Sequence, residues 1–375
     1  MDFEYENEMK VKIAKETYKR IGKLPVGAGL PRPKQGAETA PLQIATDKNQ
    51  FAYRNKMEFS FIENNRKISL AFFKRGQRNK IAIDECKLAS STINDKAKTI
   101  LDWVNKNKLT EKNLKSLIIR SNQKGEVIAG LFIKDKISFN CRDVACYVST
   151  GNIRGFNVYY STHKSPASVI TDVLYKEGQD YLIEEINGTK LKYGINSFFQ
   201  VNVPVFEMAL KDIMKSVGAQ RAVPTNIVDF YSGVGSIGLY IAKSVGAIHE
   251  LPLQMIESNE EAVGFAKENI RLNELNNCIV GARHAVPLSA EEALDYIEKD
   301  KTIIFDPPRA GLHQKVIDRI LEVKPEKIIY LSCNISTQAR DLNLLAKAYK
   351  LKAVKLYNFF PRTPHIEALV VLEKN

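Results

Sequence analysis

Cysteine is scarce in this sequence: the 375-residue chain holds five. Cys86, Cys141, Cys146, Cys278 and Cys333 are odd in number and scattered, which argues against a disulfide framework. No stretch of roughly 18 apolar residues occurs, so an ordinary membrane-spanning helix is not expected. The opening MDFEYENEMK is acidic and has no apolar run; no secretory signal is expected, and the chain reads as cytoplasmic. Low-complexity tracts and internal repeats are missing too. With 44% hydrophobic residues the composition suits packed cores rather than a disordered chain.

What is present is positive charge, unevenly spread. The chain is long for one ordinary core, so two or three domains are expected. Its net charge is +12. Residues 1–190 carry 33 Lys and Arg against 22 Asp and Glu, whereas residues 191–375 carry 22 against 21. A basic excess confined to one half is the footprint of a polyanion-binding surface, because lysine and arginine displace counterions from phosphates. Taken alone, the same excess also suits a solvated, soluble surface.

Residues 8–22 show helical spacing with a basic face, and LPVGAGLPRPKQG after them reads as a loop. Short alternating runs then predict antiparallel strands: KMEFSFI, ISLAFF and KIAIDECKL, and, after a helix near 91–107, KSLIIRSN, EVIAGLFI, FNVYYS and DYLIEEI. Past about residue 195 the texture changes. VPVFEMALKDIMKSV is an amphipathic helix. The strands NIVDF, LQMIES, TIIFD and KIIYLS then alternate with helices after Gly238, at 260–274 and at 314–323. Strands alternating with helices of this length predict βαβ units and a parallel sheet. A last strand is expected over Ile366–Leu372.

Three motifs fall at strand ends in this second half. Gly233-Val-Gly235-Ser-Ile-Gly238 follows NIVDF and opens a helix; glycines allow a tight turn and close approach of a ligand to free helix N–H groups. Glu257 ends the next strand, where a carboxylate can accept from two ribose hydroxyls. These features fit a nicotinamide dinucleotide and S-adenosylmethionine alike. Asp306-Pro307-Pro308-Arg309 begins at the last residue of TIIFD; each proline removes a donor and keeps the preceding residue extended, so Asp306 projects from the carboxyl edge of the sheet. An acid followed by two prolines here looks like the substrate-base loop of methyltransferases. IIYLSCNISTQARDL (328–342) runs apolar, then turns polar at Cys333. A packing thiol belongs inside such a run. This one stands at its lip, before a helix whose positive end favours a thiolate and lowers the pKa. The other four cysteines read as structural thiols.

The series FFQVN (198–202), DFYSGVGSIGLY (229–240), MIESNEEAVGFAKENI (255–270), DPPRAGLH (306–313), YLSCN…ARDL (330–342) and PHIEALVVL (364–372) resembles the RNA uracil-5 methyltransferases. That family includes the tRNA (uracil-54) and 23S ribosomal RNA 5-methyluridine enzymes. YRNKMEFSF (53–61) is similar to the start of the family's central β region. The resemblance implies S-adenosylmethionine as methyl donor, Cys333 as nucleophile on uracil carbon 6 and Glu367 as the base that removes the carbon-5 proton. It also implies Asp306 as a contact to the flipped uracil that helps activate Cys333. Gln200, Tyr231, Gly233, Gly235, Ser236 and Glu257 would hold the cofactor, with Asp306 beside it. His365 and Arg309 are left without a chosen role. Many members carry a four-cysteine iron–sulfur cluster with three ligands upstream of YRNK; residues 1–52 here contain no cysteine, so neither cluster nor metal is expected. The small N-terminal β-barrel of many members is not evident either.

The expected fold is therefore α/β. A Rossmann-like S-adenosylmethionine-dependent methyltransferase domain over 191–375 is preceded by a basic, β-rich α+β RNA-binding domain over 1–190. The expected partner is tRNA or ribosomal RNA, and the expected state a monomer with no membrane attachment. A cytosine-5 RNA methyltransferase and a non-catalytic RNA-binding protein are the alternatives.

Overall fold

The structure is a computed structural model that describes residues 2–23, 42–136, 153–162, 164, 168–218, 226–245, 253–276, 278–280 and 287–375. Cys141, Cys146 and the LPVGAGLPRPKQG segment lie outside the described residues. Two compact units emerge: Met1–Gln50 with Glu185–Leu191 and Phe198–Asn375, and Phe51–Glu184 with Lys192–Ser197. Among the described residues no helix is long and apolar enough to cross a membrane.

The first unit is built on an eight-stranded sheet. Its strands are β1 (Ile44–Ala45), β11 (Asn226–Phe230), β12 (Leu253–Ile256), β13 (Cys278–Val280), β14 (Lys301–Phe305), β15 (Lys327–Ser332), β16 (Tyr349–Tyr357) and β17 (Glu367–Lys374). They run in the order β1-β16-β17-β15-β14-β11-β12-β13. All pairings are parallel except those of β17, which is antiparallel to both β15 and β16. Strand order reverses between β11 and β14, the point where open α/β sheets bind ligands beyond their carboxyl ends. The parallel sheet is thus as expected, but β1, β13 and β16 were not read from the sequence. β13 has three residues, and Lys350, Lys352 and Lys355 break the apolar pattern of β16.

Helices cover this sheet through one apolar stripe each. α3 (Val203–Val217) buries Val203, Phe206, Leu210, Ile213 and Val217, starts on the Asn202 cap with a proline in its first turn, and stops at Gly218 with φ 80°. α4 (Ser236–Val245) begins two residues before the expected Gly238. α5 (Glu260–Leu272), α6 (Gln314–Val323) and α7 (Ile335–Leu345) follow their strands as βαβ units. The N-terminal helix α1 (Phe3–Arg20) starts five residues earlier than its apolar spacing suggested. Glu4 and Glu6 in its first turn suit the positive helix end, as Lys19 and Arg20 suit the last. Residues 1–50 were expected with the basic half, yet they belong to the unit that holds the parallel sheet. Ala14 and Tyr18 of α1 are fully buried in its core, and β1 pairs with β16.

The second unit is a seven-stranded sheet in the order β4-β3-β2-β5-β6-β7-β8. It comprises β2 (Lys56–Asn64), β3 (Lys67–Phe73), β4 (Lys80–Ala82), β5 (Leu114–Ser121), β6 (Val127–Ile133), β7 (Ile153–Tyr160) and β8 (Asp172–Gly178). All pairs are antiparallel except β6 with β7. α2 (Ser91–Lys106) lays Ile93, Ala97, Ile100, Trp103 and Val104 on one face of it. The Ser90 hydroxyl accepts from the Ile93 N–H to cap the helix. A hairpin of β9 (Tyr181–Ile186) and β10 (Thr189–Gly194) completes the strands.

Candidate active site

The glycine motif forms a loop between β11 and α4. Gly233 and Gly235 take φ 55° and 90°, a region that costs side chains dearly and glycine little. A Cβ on Gly235 would lie 2.8 Å from Leu239 Cδ1, whereas a Cβ on Gly233 would meet nothing within 4 Å. Gly235 is therefore packed from beneath, and Gly233 borders open space. Tyr231, just before them, also sits at positive φ, 62°, a strained setting that concentrates at functional sites. Glu257 directly follows β12 and accepts from the backbone N–H groups of Gly233 at 2.9 Å and of Ser258 and Asn259 at 2.8 Å. Those donors hold the carboxylate at the sheet edge beside the loop. Ser236, half-buried, is the first residue of α4.

Asp229, which the sequence reading passed over, lies under this loop. It is fully buried, accepts from the Gly238 N–H at 3.0 Å, and leaves Oδ1 without a partner. Burial is the largest influence on the carboxyl and raises it to about 8; the Gly238 hydrogen bond works against this, and Asp306 and Glu257 add to it. The signal was an acid inside the apolar run NIVDF, directly before the glycines. A folded-state pKa above the unfolded one means that the native protein retains a proton the unfolded chain releases. Stability from this group is therefore lost as pH rises from about 4 to about 8. Asp229→Asn is expected to flatten the fall of the melting temperature between pH 5.5 and 8, while still accepting from Gly238. An unchanged slope would refute the assignment.

The chemistry-bearing residues meet at the carboxyl ends of β14 and β15 and the start of β17. Pairing of β15 with β17 ends at Ser332 opposite Ala368, so Cys333 and Glu367 are each the next residue beyond that pair, and Glu367 acts electrostatically on the thiol. Asp306 follows β14, whose Phe305 pairs with Tyr330 of β15, and its N–H donates to Phe230 O of β11 at 3.4 Å. Burial raises the Cys333 thiol to about 11, with Glu367 and Asp306 adding to the shift and Arg309 opposing it. The sequence expectation of a lowered thiol pKa is thus reversed: desolvation and two carboxyls outweigh the end of α7. Burial likewise lifts Asp306 to about 7. Glu367, 2% exposed, goes well above its ordinary value through burial and then Asp306, against Arg309. Its Oε2 has no hydrogen-bond partner.

The loop that carries Asp306 is pinned to α7. Asn334 Nδ2 and Thr337 Oγ1 donate to Arg309 O at 3.0 and 3.1 Å, and Arg340 Nη2 donates to Ala310 O at 3.0 Å. Asp341, fully buried, accepts from Leu312 N–H at 2.9 Å and from the Tyr330 hydroxyl at 2.8 Å. Gly311 has φ 80°, and a Cβ there would stand 2.6 Å from Asp341 Oδ2. This explains the ARDL tail of the cysteine motif, whose roles were not assigned from sequence. Gly311→Ala is expected to cost about 1–3 kcal/mol in denaturant unfolding, from backbone strain and the forced shift of Asp341. A wild-type unfolding midpoint would contradict this.

Gln200 is buried at the start of the segment that leads into α3, with Asn202 two residues on. Asn202 caps α3 and donates to Phe359 O at 3.2 Å, tying this segment to the connection between β16 and β17. Phe198, by contrast, is 70% exposed, an aromatic at the surface that the sequence did not mark out. His365 precedes β17 rather than lying within it. Its ring packs edge-on against Phe360 at 5.9 Å. Cys278 is buried in β13 and Cys86 half-buried, in keeping with structural thiols.

The family model for tRNA (uracil-5-)-methyltransferase matches residues 37–375. The chain belongs to that family. Its members' shared fold is visible in the crystal structure of Pyrococcus abyssi tRNA (uracil-54, C5)-methyltransferase in complex with S-adenosyl-L-homocysteine. That structure matches 99% of this chain and 84% of its own, with a TM-score of 0.75 at 23% identity. An RNA methyltransferase of Caldanaerobacter subterraneus subsp. tengcongensis is 32% identical over 354 residues, covering 89% of this chain and 75% of its own. Another of Clostridium tetani is 30% identical over 351 residues, covering 89% and 74%. As a tRNA (uracil-5-)-methyltransferase family member, the chain is an RNA methyltransferase with a Rossmann-like catalytic unit.

Proposed function

We propose that this protein converts a uridine of RNA to 5-methyluridine through a temporary thioether between Cys333 and carbon 6 of the base. The observation that carries the reading is the juxtaposition of Cys333, Glu367 and Asp306 at one edge of the sheet. Carbon 5 of uracil is a weak nucleophile until a thiolate adds to carbon 6. Asp306, poised near neutrality, takes the thiol proton as Cys333 Sγ bonds to carbon 6, and carbon 5 becomes electron-rich. S-adenosylmethionine, when bound, supplies a methyl group on a sulfonium that carbon 5 can displace. Glu367 then takes the proton from carbon 5, the carbon–sulfur bond breaks, and its electron pair returns to Sγ.

The cofactor suits the residues of the first unit. Open space at Gly233, the positive end of α4 and a carboxylate just beyond β12 match a nucleoside with two ribose hydroxyls. Glu257, Tyr231, Ser236 and Gln200 would hold it. Glu257→Ala is expected to weaken S-adenosylmethionine binding by roughly 10- to 150-fold, the worth of hydrogen bonds to a charged acceptor. Calorimetry that finds wild-type affinity would remove Glu257 from the site.

The second unit supplies the RNA-binding surface in this reading. In LAFFKRGQRNK, Phe72 stacks on the buried Phe59 at 5.7 Å, but Phe73 is 60% exposed. Lys74, Arg75 and Arg78 follow it on an exposed turn, an arrangement suited to stacking bases and gripping phosphates. In FAYRNKMEF, Phe59 belongs to the core and Phe51 is exposed. Such a pocket takes its uracil unstacked, at a cost of a few kcal/mol that loop RNA reduces. The deciding experiment incubates the protein with methyl-labelled cofactor and separated tRNA and ribosomal RNA, then identifies the labelled nucleoside. 5-Methyluridine in one of them is expected. Label in 5-methylcytidine, or none, would overturn the reading.

A further inference from the structure

Helix α1 lies before the region matched by the family model, yet it reaches both sides of Glu367. Its buried face repeats every fourth residue: Glu6, Lys10, Ala14 and Tyr18. At one end Lys10 forms an ion pair with Glu6 at 2.8 Å and donates to Asn358 Oδ1 at 2.7 Å and Phe360 O at 3.1 Å. Glu6 accepts from Arg362 N–H at 2.9 Å. This end therefore grips the connection that leads into β17. At the other end the Tyr18 hydroxyl donates to Gln338 Oε1 at 2.5 Å. Gln338 Nε2 in turn donates to Tyr330 O of β15 at 2.9 Å and Ala368 O of β17 at 3.1 Å.

Tyr18 and Gln338 are fully buried. A leucine at 338 would fill the core without needing a hydroxyl partner, and a buried ion pair such as Glu6–Lys10 adds little net stability. What these polar groups supply is fixed geometry. The amide clips two strands together just behind Cys333 and Glu367, and Tyr18 holds the amide in place. We propose that Tyr18 and Gln338 are positioning residues, through which α1 sets the separation of Cys333 Sγ from the Glu367 carboxylate. The consequence for release of the methylated base rests on the adduct mechanism above; the positioning itself does not.

The test uses the full chain and begins without RNA. The charged groups that face Cys333 are Glu367 on β17 and Asp306 and Arg309 on the loop after β14. If the clip holds Glu367 beside the thiol, Tyr18→Phe and Gln338→Leu should each speed alkylation of Cys333 by iodoacetamide at pH 8. A rise of about three- to tenfold is expected, the change in thiolate fraction that half to one pK unit brings. Peptide mass spectrometry reads Cys333 separately from the buried Cys278, which serves as the internal reference. Tyr18→Phe should add nothing further in a Glu367→Gln background. An unchanged Cys333 rate would overturn the proposal, as would a parallel rise at Cys278 or a full additional rise in the Glu367→Gln protein, both of which mean general loosening. With RNA, the same variants should lower kcat and raise the fraction trapped as covalent complex, at unchanged S-adenosylmethionine affinity. If the wild-type protein forms no adduct, the mechanism fails while the alkylation result still decides the positioning.

Discussion

Replacing Cys333 by alanine is expected to abolish methyl transfer, by a factor on the order of 10^4 or more, the scale seen when a covalent nucleophile is removed. Cofactor affinity should stay at the wild-type level, since the thiol stands at the end of β15 and the glycine loop follows β11. Melting temperature should change little, because the thiol is half-buried and fills no central core position. With a thiol raised to about 11, only about one molecule in 10^4 carries a thiolate at pH 7. Ionisation must therefore accompany arrival of the base, and a carboxyl at about 7 is matched to receive that proton. The rate of the wild-type protein should accordingly climb with pH through about 7, as Asp306 loses its proton and can act as base. Substantial methyl transfer by the Cys333→Ala protein would remove the adduct mechanism altogether.

Glu367→Gln is expected to separate the two halves of the reaction. Buried at the head of β17 with one oxygen unpartnered, Glu367 is a strong base once ionised, because desolvation and Asp306 favour its protonated form. The amide keeps the shape and cannot take the carbon-5 proton. Product should form about 10²- to 10⁴-fold more slowly, while a covalent protein–RNA complex builds up and survives a denaturing gel. Loss of product without any such complex would show that Glu367 acts before Cys333 attacks. The amide also removes a buried acid, so the variant should be no less stable than wild type at pH 8.

Much of the candidate site was legible because its residues sit at strand ends punctuated by glycine and proline. Gly233 and Gly235 adopt the positive φ that the motif suggested, and Asp306 leaves β14 at the expected place. Cys333 stands at the lip of β15 as the polar turn in IIYLSCN indicated. Other residues carried no such punctuation. Asp341 and Gln338 look like ordinary polar residues of a helix, and only burial against the neighbouring loop and strands reveals their hydrogen bonds. Asp229 hid within an apolar run. The direction of the thiol pKa was misread for a related reason: sequence reveals the adjacent helix end, but not the two carboxyls that pairing with β17 and the loop after β14 bring beside it.

By itself, the sequence determined the alternation of β11, β12, β14 and β15 with their helices, the residue types at their ends and the family they specify. Side-chain periodicity and backbone restrictions are local, and they act within a few residues of each motif. Only the tertiary structure decided that β17 runs antiparallel between β15 and β16, which sets Glu367 against Cys333. It alone placed α1 in the core of that unit, with Tyr18 hydrogen-bonded to Gln338 across 320 positions of sequence. Register and desolvation depend on which segments pack together, and no local pattern encodes them.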